Sequence, residues 1–283
     1  MDERACYDHA LASGCGSLGK NAKGGSMRKA QFLLVVMLLL ASGAVSQNNT
    51  DWVKTTTPKL LSISVEQIKN GQESAHAKIE TGWRRAFEKA NYPSYFLGLS
   101  SLTGPPVMLF LTGFDSLQSW QKEDEDQSAN AWLWAEQDKL HMEDSNFVQA
   151  SSHEFGELVP ESSVPAKFPL GAARCFSVTR LDVEPSRQRE FRDWLRRQIG
   201  ANTSALPHIA AYRLMAGGSL SSFVLIEART SRADFDSNRI DFETLIPGVL
   251  SVTRNFFEPN PNTSRVTAEF AKGNEKFWFP SER

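Results

Sequence analysis

The chain has 283 residues, of which 41% are hydrophobic, and its 31 Lys and Arg residues are nearly balanced by 33 Asp and Glu residues. This length is sufficient for a sizeable hydrophobic core. The lack of a basic surplus argues against a nucleic acid or an anionic lipid surface as the partner.

Residues 27–46 have the pattern of an export signal. A short basic start precedes the apolar run Phe32–Leu40, and small residues follow it. The apolar run is shorter than the roughly 20 residues that span a bilayer. We therefore predict cleavage after Ser46 or Ala44, with a retained membrane anchor as the alternative. Translation is expected to start at Met27, and the mature protein is expected to be periplasmic or secreted, without stable membrane insertion.

Cysteine usage agrees with this prediction. Cys6 and Cys15 lie before the signal, so the mature chain would keep only Cys175 and could not form an internal disulfide. Export without disulfides is typical of a bacterial protein whose core is large enough to stand alone.

After the N-terminal extension and signal (residues 1–46), the polar segment 47–58 is predicted to be a linker, and two similar units then follow. The first unit, residues 59–160, begins with apolar and polar residues in alternation, which indicates a half-buried strand. The strands predicted in it cover 59–68, 95–102, 107–114 and 147–158. A helix over 72–91 and a helical region capped by Asp115 or Ser116 lie between them.

The second unit, residues 161–258, repeats this order. Strands are predicted over 175–183, 209–215, 223–228 and 249–257. Pro185 and Ser186 open its first helix, and a short helix is predicted over 231–243. The remaining residues, 259–283, form a tail that carries Phe277, Trp278 and Phe279. Three adjacent aromatic rings are costly to leave in water, so we expect them to pack on the body or to form the contact of a homo-oligomer.

The duplicated β-α-β-β-α-β order, with Val178–Val183 running into Pro185 and Ser186 before an aromatic-bearing helix, resembles the ferredoxin-like dimeric α/β-barrel superfamily. Its members include antibiotic-biosynthesis monooxygenase-like, EthD-like and NIPSNAP-like domains. The resemblance covers about residues 59–258. It implies an α+β fold in which two tandem ferredoxin-like half-domains form one intramolecular barrel, with helices outside and a cavity within each half. Activities in the superfamily range from cofactor-free oxygenation through haem chemistry to no known reaction, so the fold alone does not determine the activity.

Haem-degrading members of the superfamily use a Trp and a His from the second helix of the half-domain, with an Asn on the first strand. By this resemblance, Trp132, Trp134 and His141 are candidate site residues and haem is the cofactor they suggest, although the first strand offers Ser62 and Ser64 in place of the Asn. His141 follows Trp134 by seven residues, so both would face one cavity from the same side of a helix. Ordinary packing is the alternative.

Two further histidines lie near predicted strands. His153 and Glu154 are adjacent in one strand, so their side chains would point to opposite faces. His153 would point into the barrel if Phe147 and Phe155 do. It would then be a general base, a ligand contact or a hydrogen-bonded interior residue. His208 follows a proline in a predicted loop and is expected to be exposed.

Arg180, Arg213, Arg229 and Arg254 fall on four predicted strands of the second half. If several of them point inward, they would form a cationic cavity for a carboxylate-bearing ligand. The alternative is that they lie on the outer face of the sheet and pair there with acidic residues, namely Asp182, Glu227 and Glu243.

Glu73, His76 and Glu80 are spaced along one face of the first helix. A metal site usually needs ligands from more than one element, so we expect a polar helix start and no metal site here, with metal binding by these three residues as the alternative. The acidic run Glu123–Asp126 is expected to be a solvated loop or helix face.

No nucleophile elbow, Walker loop, His-Glu-x-x-His or Cys-x-x-Cys motif is present. We therefore expect an exported protein that binds a small apolar or aromatic ligand in a barrel cavity. The alternatives are a haem- or oxygen-dependent monooxygenase-like oxidoreductase and a structural or interaction module.

Overall fold

The protein is described by a computed structural model over residues 57–166, 168–202, 208–236, 240, 242 and 246–280. The predicted export signal lies outside these residues. Within them, no helix is both long enough and apolar enough to cross a membrane. Cys175 is a free, buried thiol.

Eight antiparallel strands form a closed barrel. The strands are β1 Leu60–Ile68, β2 Leu97–Ser101, β3 Val107–Phe114, β4 Val148–Leu158, β5 Cys175–Val183, β6 His208–Ala216, β7 Ser222–Arg229 and β8 Val249–Pro259. The helices are α1 Glu73–Lys89, α2 Leu117–Ala129, α3 Ala131–Asp144, α4 Gln188–Asn202, α5 Ala268–Ala271 and α6 Glu275–Trp278.

The order of strands around the barrel is β1-β3-β2-β8-β5-β7-β6-β4. Each half of the chain therefore contributes four adjacent strands, and the halves join at two seams, where β2 pairs with β8 and β4 pairs with β6. The predicted α+β fold, an intramolecular barrel built from two ferredoxin-like halves, is confirmed.

Apolar side chains fill the interior of the barrel. Alternate residues of each strand point inward, such as Leu61 and Ile63 of β1, and they form one cluster with residues that pack from outside the strands, such as Leu170 and Phe270. A ligand cavity inside the barrel therefore stays a prediction. The cavity that the described residues form in the first half lies outside the sheet, beneath the helices.

The tail packs on the body through two of its three adjacent aromatic residues. Trp278 is 1% exposed, and its indole N–H donates to the carbonyl of Gly171 at 2.7 Å. The guanidinium of Arg174 lies 4.0 Å from the centre of the Phe277 ring. Phe279 is exposed, so a contact of the tail with another subunit stays a prediction that rests on this residue.

The helical region after Ser116 is divided into two helices. The Ser116 hydroxyl caps α2, as predicted, by accepting from the backbone N–H of Ser119 at 3.1 Å. Asn130 then ends α2 and caps α3 through the backbone N–H of Leu133. This break allows α2 and α3 to lie at different places over the first half of the sheet.

His208 is 3% exposed, so the prediction that it lies at the surface is wrong. The segment around Val164 pairs with Ile209 through an antiparallel bridge and covers the start of β6. One ring nitrogen of His208 donates to the carbonyl of Val164 at 3.0 Å. Burial lowers the pKa of His208 to about 4, because the charged imidazolium is poorly solvated there.

We expect His208 to destabilise the protein as the pH falls from 6.5 to about 4. The unfolded chain binds the imidazole proton at the higher pH and the folded protein only at the lower one, so protonation favours unfolding in this range. His208→Gln should make the free energy of unfolding less dependent on pH by roughly 3 kcal/mol across the range. Urea unfolding at several pH values measures this effect. Above pH 7 the free energies of unfolding of the two proteins should change with pH in the same way. If they also change in the same way below pH 6.5, the prediction is contradicted.

Candidate functional site

A cavity of about 320 Å³ lies between the outer face of the first half of the sheet and helices α1, α2 and α3. Its floor includes the hydroxyls of Ser62 and Ser64 on β1 and Thr112 on β3, together with His153 on β4. On β1, Ser62 and Ser64 alternate with the apolar residues that fill the barrel. The helices thus cover part of this polar face, while His153 stays exposed.

Aromatic and polar side chains share the walls of the cavity. The aromatic side chains that line it are Trp83, Phe87, Phe96, Phe110, Phe114 and Trp120. Phe96 makes edge-on contacts with both Phe87 and Phe110, with ring centres 5.8 and 6.3 Å apart. Such contacts favour one arrangement of the rings, so the walls are pre-formed.

His153 lies on the outer face of β4, and both of its ring nitrogens meet serine hydroxyls. The Oγ atoms of Ser62 and Ser64 are 3.0 and 2.7 Å from Nε2 and Nδ1. Burial lowers the pKa of His153, an effect that the nearby carboxylate of Glu154 opposes. The ring is therefore neutral near pH 7, with one nitrogen as donor and the other as acceptor.

The structure places His153 and Phe155 outside the barrel, and Glu154 points to the opposite face, as adjacent strand positions must. Phe155 packs there against Phe114 and Trp120. His153 was expected to face the barrel interior if Phe155 does, and this condition is not met. Both faces of this sheet are covered, so an aromatic residue does not distinguish them.

His141 and Trp134 share a second, smaller cavity of about 170 Å³, as their seven-residue spacing predicts. His141 lines the larger cavity as well, and its ring lies edge-on to that of Trp83 at 5.5 Å. Trp134 itself is 56% exposed. Trp132 lines neither cavity and lies beneath the ammonium of Lys89, 4.6 Å from the ring centre.

The four strand arginines do not converge on one place, and none of them lines the cavity. All four pair with carboxylates, and three of these pairs are Arg213 with Glu157 and both Arg229 and Arg254 with Glu227. Arg180 follows Phe176 and Val178 on the inward face of β5, and its two Nη atoms donate to the two carboxylate oxygens of Glu154 at 2.6 Å each. The second half therefore does not form the cationic cavity that was one alternative.

Four titratable side chains from three elements meet at one side of the larger cavity. They are Glu66 of β1, His76 and Glu80 of α1 and Asp144 of α3, and one ligand atom of each lies within 4.8 Å of the others. We call this group the His–carboxylate cluster. Nε2 of His76 is 2.9 Å from Glu66, 3.2 Å from Asp144 and 3.8 Å from Glu80.

Sequence reasoning identified only part of this cluster. His76 and Glu80 were candidates, whereas the third candidate on that helix, Glu73, is exposed and lies outside the cluster. Glu66 and Asp144 were missed, because only the packing of α3 against α1 brings Asp144 to the strand. Burial and the charges of Glu66 and Asp144 raise the pKa of Glu80 to about 9, so Glu80 is protonated at neutral pH.

In the second half, the positions that correspond to three residues of the cluster are occupied by apolar residues of the core. β1 and β5 each have a register shift at the end of the strand, which aligns Ile68 with Val183 and Glu66 with Leu181. His76 and Phe191 are both the fourth residue of their helices, and Glu80 and Leu195 are both the eighth. Leu181, Phe191 and Leu195 are fully buried apolar residues, so this fold does not require titratable groups there.

A haem, the cofactor that the resemblance suggests, does not match the cavity. Among the described lining residues there is no Arg or Lys to pair with propionates, while Glu66, Glu80, Glu123 and Asp124 contribute carboxyl groups. We therefore derive no chemistry through haem.

We expect Glu80→Leu, which copies Leu195 of the second half, to stabilise the metal-free protein by about 1 to 3 kcal/mol at pH 8. A buried ionisable group is removed and an apolar one of similar volume takes its place. Chemical unfolding in a chelating buffer measures the change. The reverse replacement, Leu195→Glu, should destabilise by roughly 3 kcal/mol or more. A Glu80→Leu protein less stable than the unchanged one would show that the cluster supports the fold.

No protein-family model matches the sequence, and no curated protein matches it. An anthrone oxidase-like protein of known structure superposes with a TM-score of 0.50 at 10% identity, over 73% of this chain and 93% of that chain. Chlorite dismutase from Candidatus Nitrospira defluvii has a TM-score of 0.45 at 10% identity, covering 75% and 96%. A NIPSNAP domain protein from Burkholderia xenovorans has a TM-score of 0.28 at 16% identity, covering 38% and 96%.

At these identities the likeness concerns the fold and not the activity. The eight-stranded closed barrel, the helices on its outer face and the superposition on the anthrone oxidase-like protein agree with one another. The chain has the fold of the ferredoxin-like dimeric α/β-barrel superfamily, with both halves of the barrel supplied by one polypeptide.

Proposed function

We propose that this protein binds a small, uncharged, hydroxyl-bearing aromatic molecule in the larger cavity of its first half. The observation that carries the proposal is the lining, in which aromatic walls stand over a floor of three hydroxyls and a neutral imidazole. Aromatic walls favour a flat apolar body, and the floor can donate to and accept from ligand hydroxyls. The export signal predicted over residues 27–46 would place this binding outside the cytoplasm.

The charge of the lining argues against an anionic ligand. Glu66, Glu123 and Asp124 contribute carboxylates. A ligand with its own carboxylate or phosphate would meet like charge in a partly dehydrated space, where repulsion is stronger than in water.

The second half supports the view that the cavity is specific to the first. There, the helix residues Phe191 and Leu195 pack directly against Leu181, Phe223 and Leu225 of the sheet and fill the corresponding space. The same backbone arrangement can thus close over the sheet. In the first half it is held open by smaller, polar floor residues.

The test is calorimetric titration of the full-length protein with 2-naphthol and, as its matched anion, 2-naphthoate. We expect saturable binding of 2-naphthol and affinity for 2-naphthoate at least tenfold lower, which corresponds to about 1.4 kcal/mol. Thr112→Phe, which fills the cavity from its floor, should abolish binding. Arg213→Ala, on the outside of the second half, should leave it unchanged. Equal binding of both compounds, or tight binding to Thr112→Phe, would contradict the proposal.

A second candidate function is oxidation of such a ligand by dioxygen without a cofactor. The observation that favours it is His153, a neutral imidazole beside the aromatic space. It could accept a proton from a ligand hydroxyl through Ser62 or Ser64. Loss of that proton would make an aromatic alcohol more readily oxidised.

Oxygen uptake with anthrone or 2-naphthol tests this second function. We expect His153→Ala to lower the uptake by about 100-fold or more, a larger factor than its loss of affinity for 2-naphthol, because a general base acts mainly on the reaction. His141→Ala should retain most of the uptake. Absence of oxygen uptake by the unchanged protein would rule the reaction out and leave the binding proposal standing.

A further inference from the structure

The His–carboxylate cluster contains a buried acceptor that no hydrogen bond satisfies. Oδ1 of Asp144 has no hydrogen-bond partner among the described residues, and the Asp144 side chain is only 9% exposed. The atom points into the cluster, 3.2 Å from Nε2 of His76. His76 is fully buried, and its Nδ1 also lacks a partner in the described part of the chain. An unsatisfied buried polar atom costs about 1 to 3 kcal/mol, so its presence in a folded protein needs an explanation.

A simple ion pair does not supply that explanation. A protonated His76 with Glu66 at 2.9 Å would account for two of the four groups. It would leave Oδ1 of Asp144 unbonded and the carboxyl of Glu80 buried beside two others. In the second half, leucine and phenylalanine occupy the equivalent positions, so packing of the helix on the sheet does not require titratable residues there.

Two of the three distances from His76 match those between ligands of one ion, and Glu80 would move closer on binding. Ligand atoms about 2.1 Å from a common metal lie about 3.0 Å apart in octahedral and about 3.4 Å apart in tetrahedral geometry. Nε2 of His76 lies 2.9, 3.2 and 3.8 Å from the three carboxylate oxygens. The ligands also come from three elements. A metal site usually needs ligands from more than one element, and the three candidates on the first helix alone did not fulfil this requirement.

We propose that the His–carboxylate cluster binds one divalent transition-metal ion, with the imidazole of His76 and three carboxylates as its ligands. One nitrogen and three oxygens, without a thiolate, suit Mn²⁺ and Fe²⁺, because carboxylates favour manganese and imidazole favours iron and zinc over calcium and magnesium. The bound ion would offset the negative charge that the carboxyl groups bring to the cluster, and Glu80 would release its proton when it binds the ion. It would also give Oδ1 of Asp144 a partner.

The ion would lie at the wall of the larger cavity. Glu66 and Glu80 belong both to the cluster and to the cavity lining. Four protein ligands leave coordination positions free on an ion that prefers six. The open positions would face the cavity, where water or a ligand hydroxyl could occupy them. The site is independent of the aromatic ligand proposed above, since its ligands are all side chains.

The experiment uses the full-length protein freed of metal by a chelator and titrated with Mn²⁺. Free Mn²⁺ gives an electron paramagnetic resonance signal that is lost on binding. We expect one Mn²⁺ per chain, displaced by Zn²⁺ but not by equal concentrations of Ca²⁺ or Mg²⁺. Asp144→Asn and His76→Gln should weaken binding at least about tenfold. Glu73→Gln, which changes an exposed carboxylate on the same helix, is the matched control and should bind Mn²⁺ as the unchanged protein does.

Circular dichroism checks that each variant is folded, and Glu66→Gln, at a half-buried position, replaces any variant that is not. No saturable Mn²⁺ binding to the unchanged protein would overturn the proposal. Unchanged binding to Asp144→Asn, or displacement by Ca²⁺ as effective as by Zn²⁺, would overturn it too. Because the readout is the metal alone, a failure to bind 2-naphthol would leave this result unaffected.

Discussion

The filled interior of the closed barrel is the constraint on which the rest of the molecule depends. Every strand must turn alternate side chains toward an apolar cluster, of which Leu61 and Leu111 are fully buried members. That requirement leaves the other side chains of each strand on the outer face, beneath the helices. The residues between sheet and helix are therefore free to differ without opening the barrel.

The two halves use that freedom in opposite ways. In the second half, Phe191 and Leu195 of α4 close against the sheet and form a second apolar core. In the first half, the matching residues are His76 and Glu80, and a cavity remains open. Packing is the stabilising choice, since burying apolar area gives roughly 25 cal/mol per Å². The first half gives up part of that stability, and the aromatic walls recover some of it through edge-on ring contacts.

Much of the fold could be predicted from the sequence, because alternation and helical spacing are local signals. The bounds of β3 and β5 agree with the prediction, and Ser116 is the helix cap it named. The site depended on packing between distant segments. Asp144 joins Glu66 only when α3 lies over β1, and the face of His153 could not be chosen while both faces were covered. His208 was misjudged because a segment far away in the sequence, around Val164, covers it.

The two seams, where β2 meets β8 and β4 meets β6, join parts of one polypeptide. In an assembly of two identical subunits, symmetry would repeat each substitution, so a cavity opened beneath one helix would be opened beneath both. Covalent linkage removes that obligation. One half can keep a dense hydrophobic layer that holds the barrel together while the other departs from it, and the whole molecule bears the loss of packing only once.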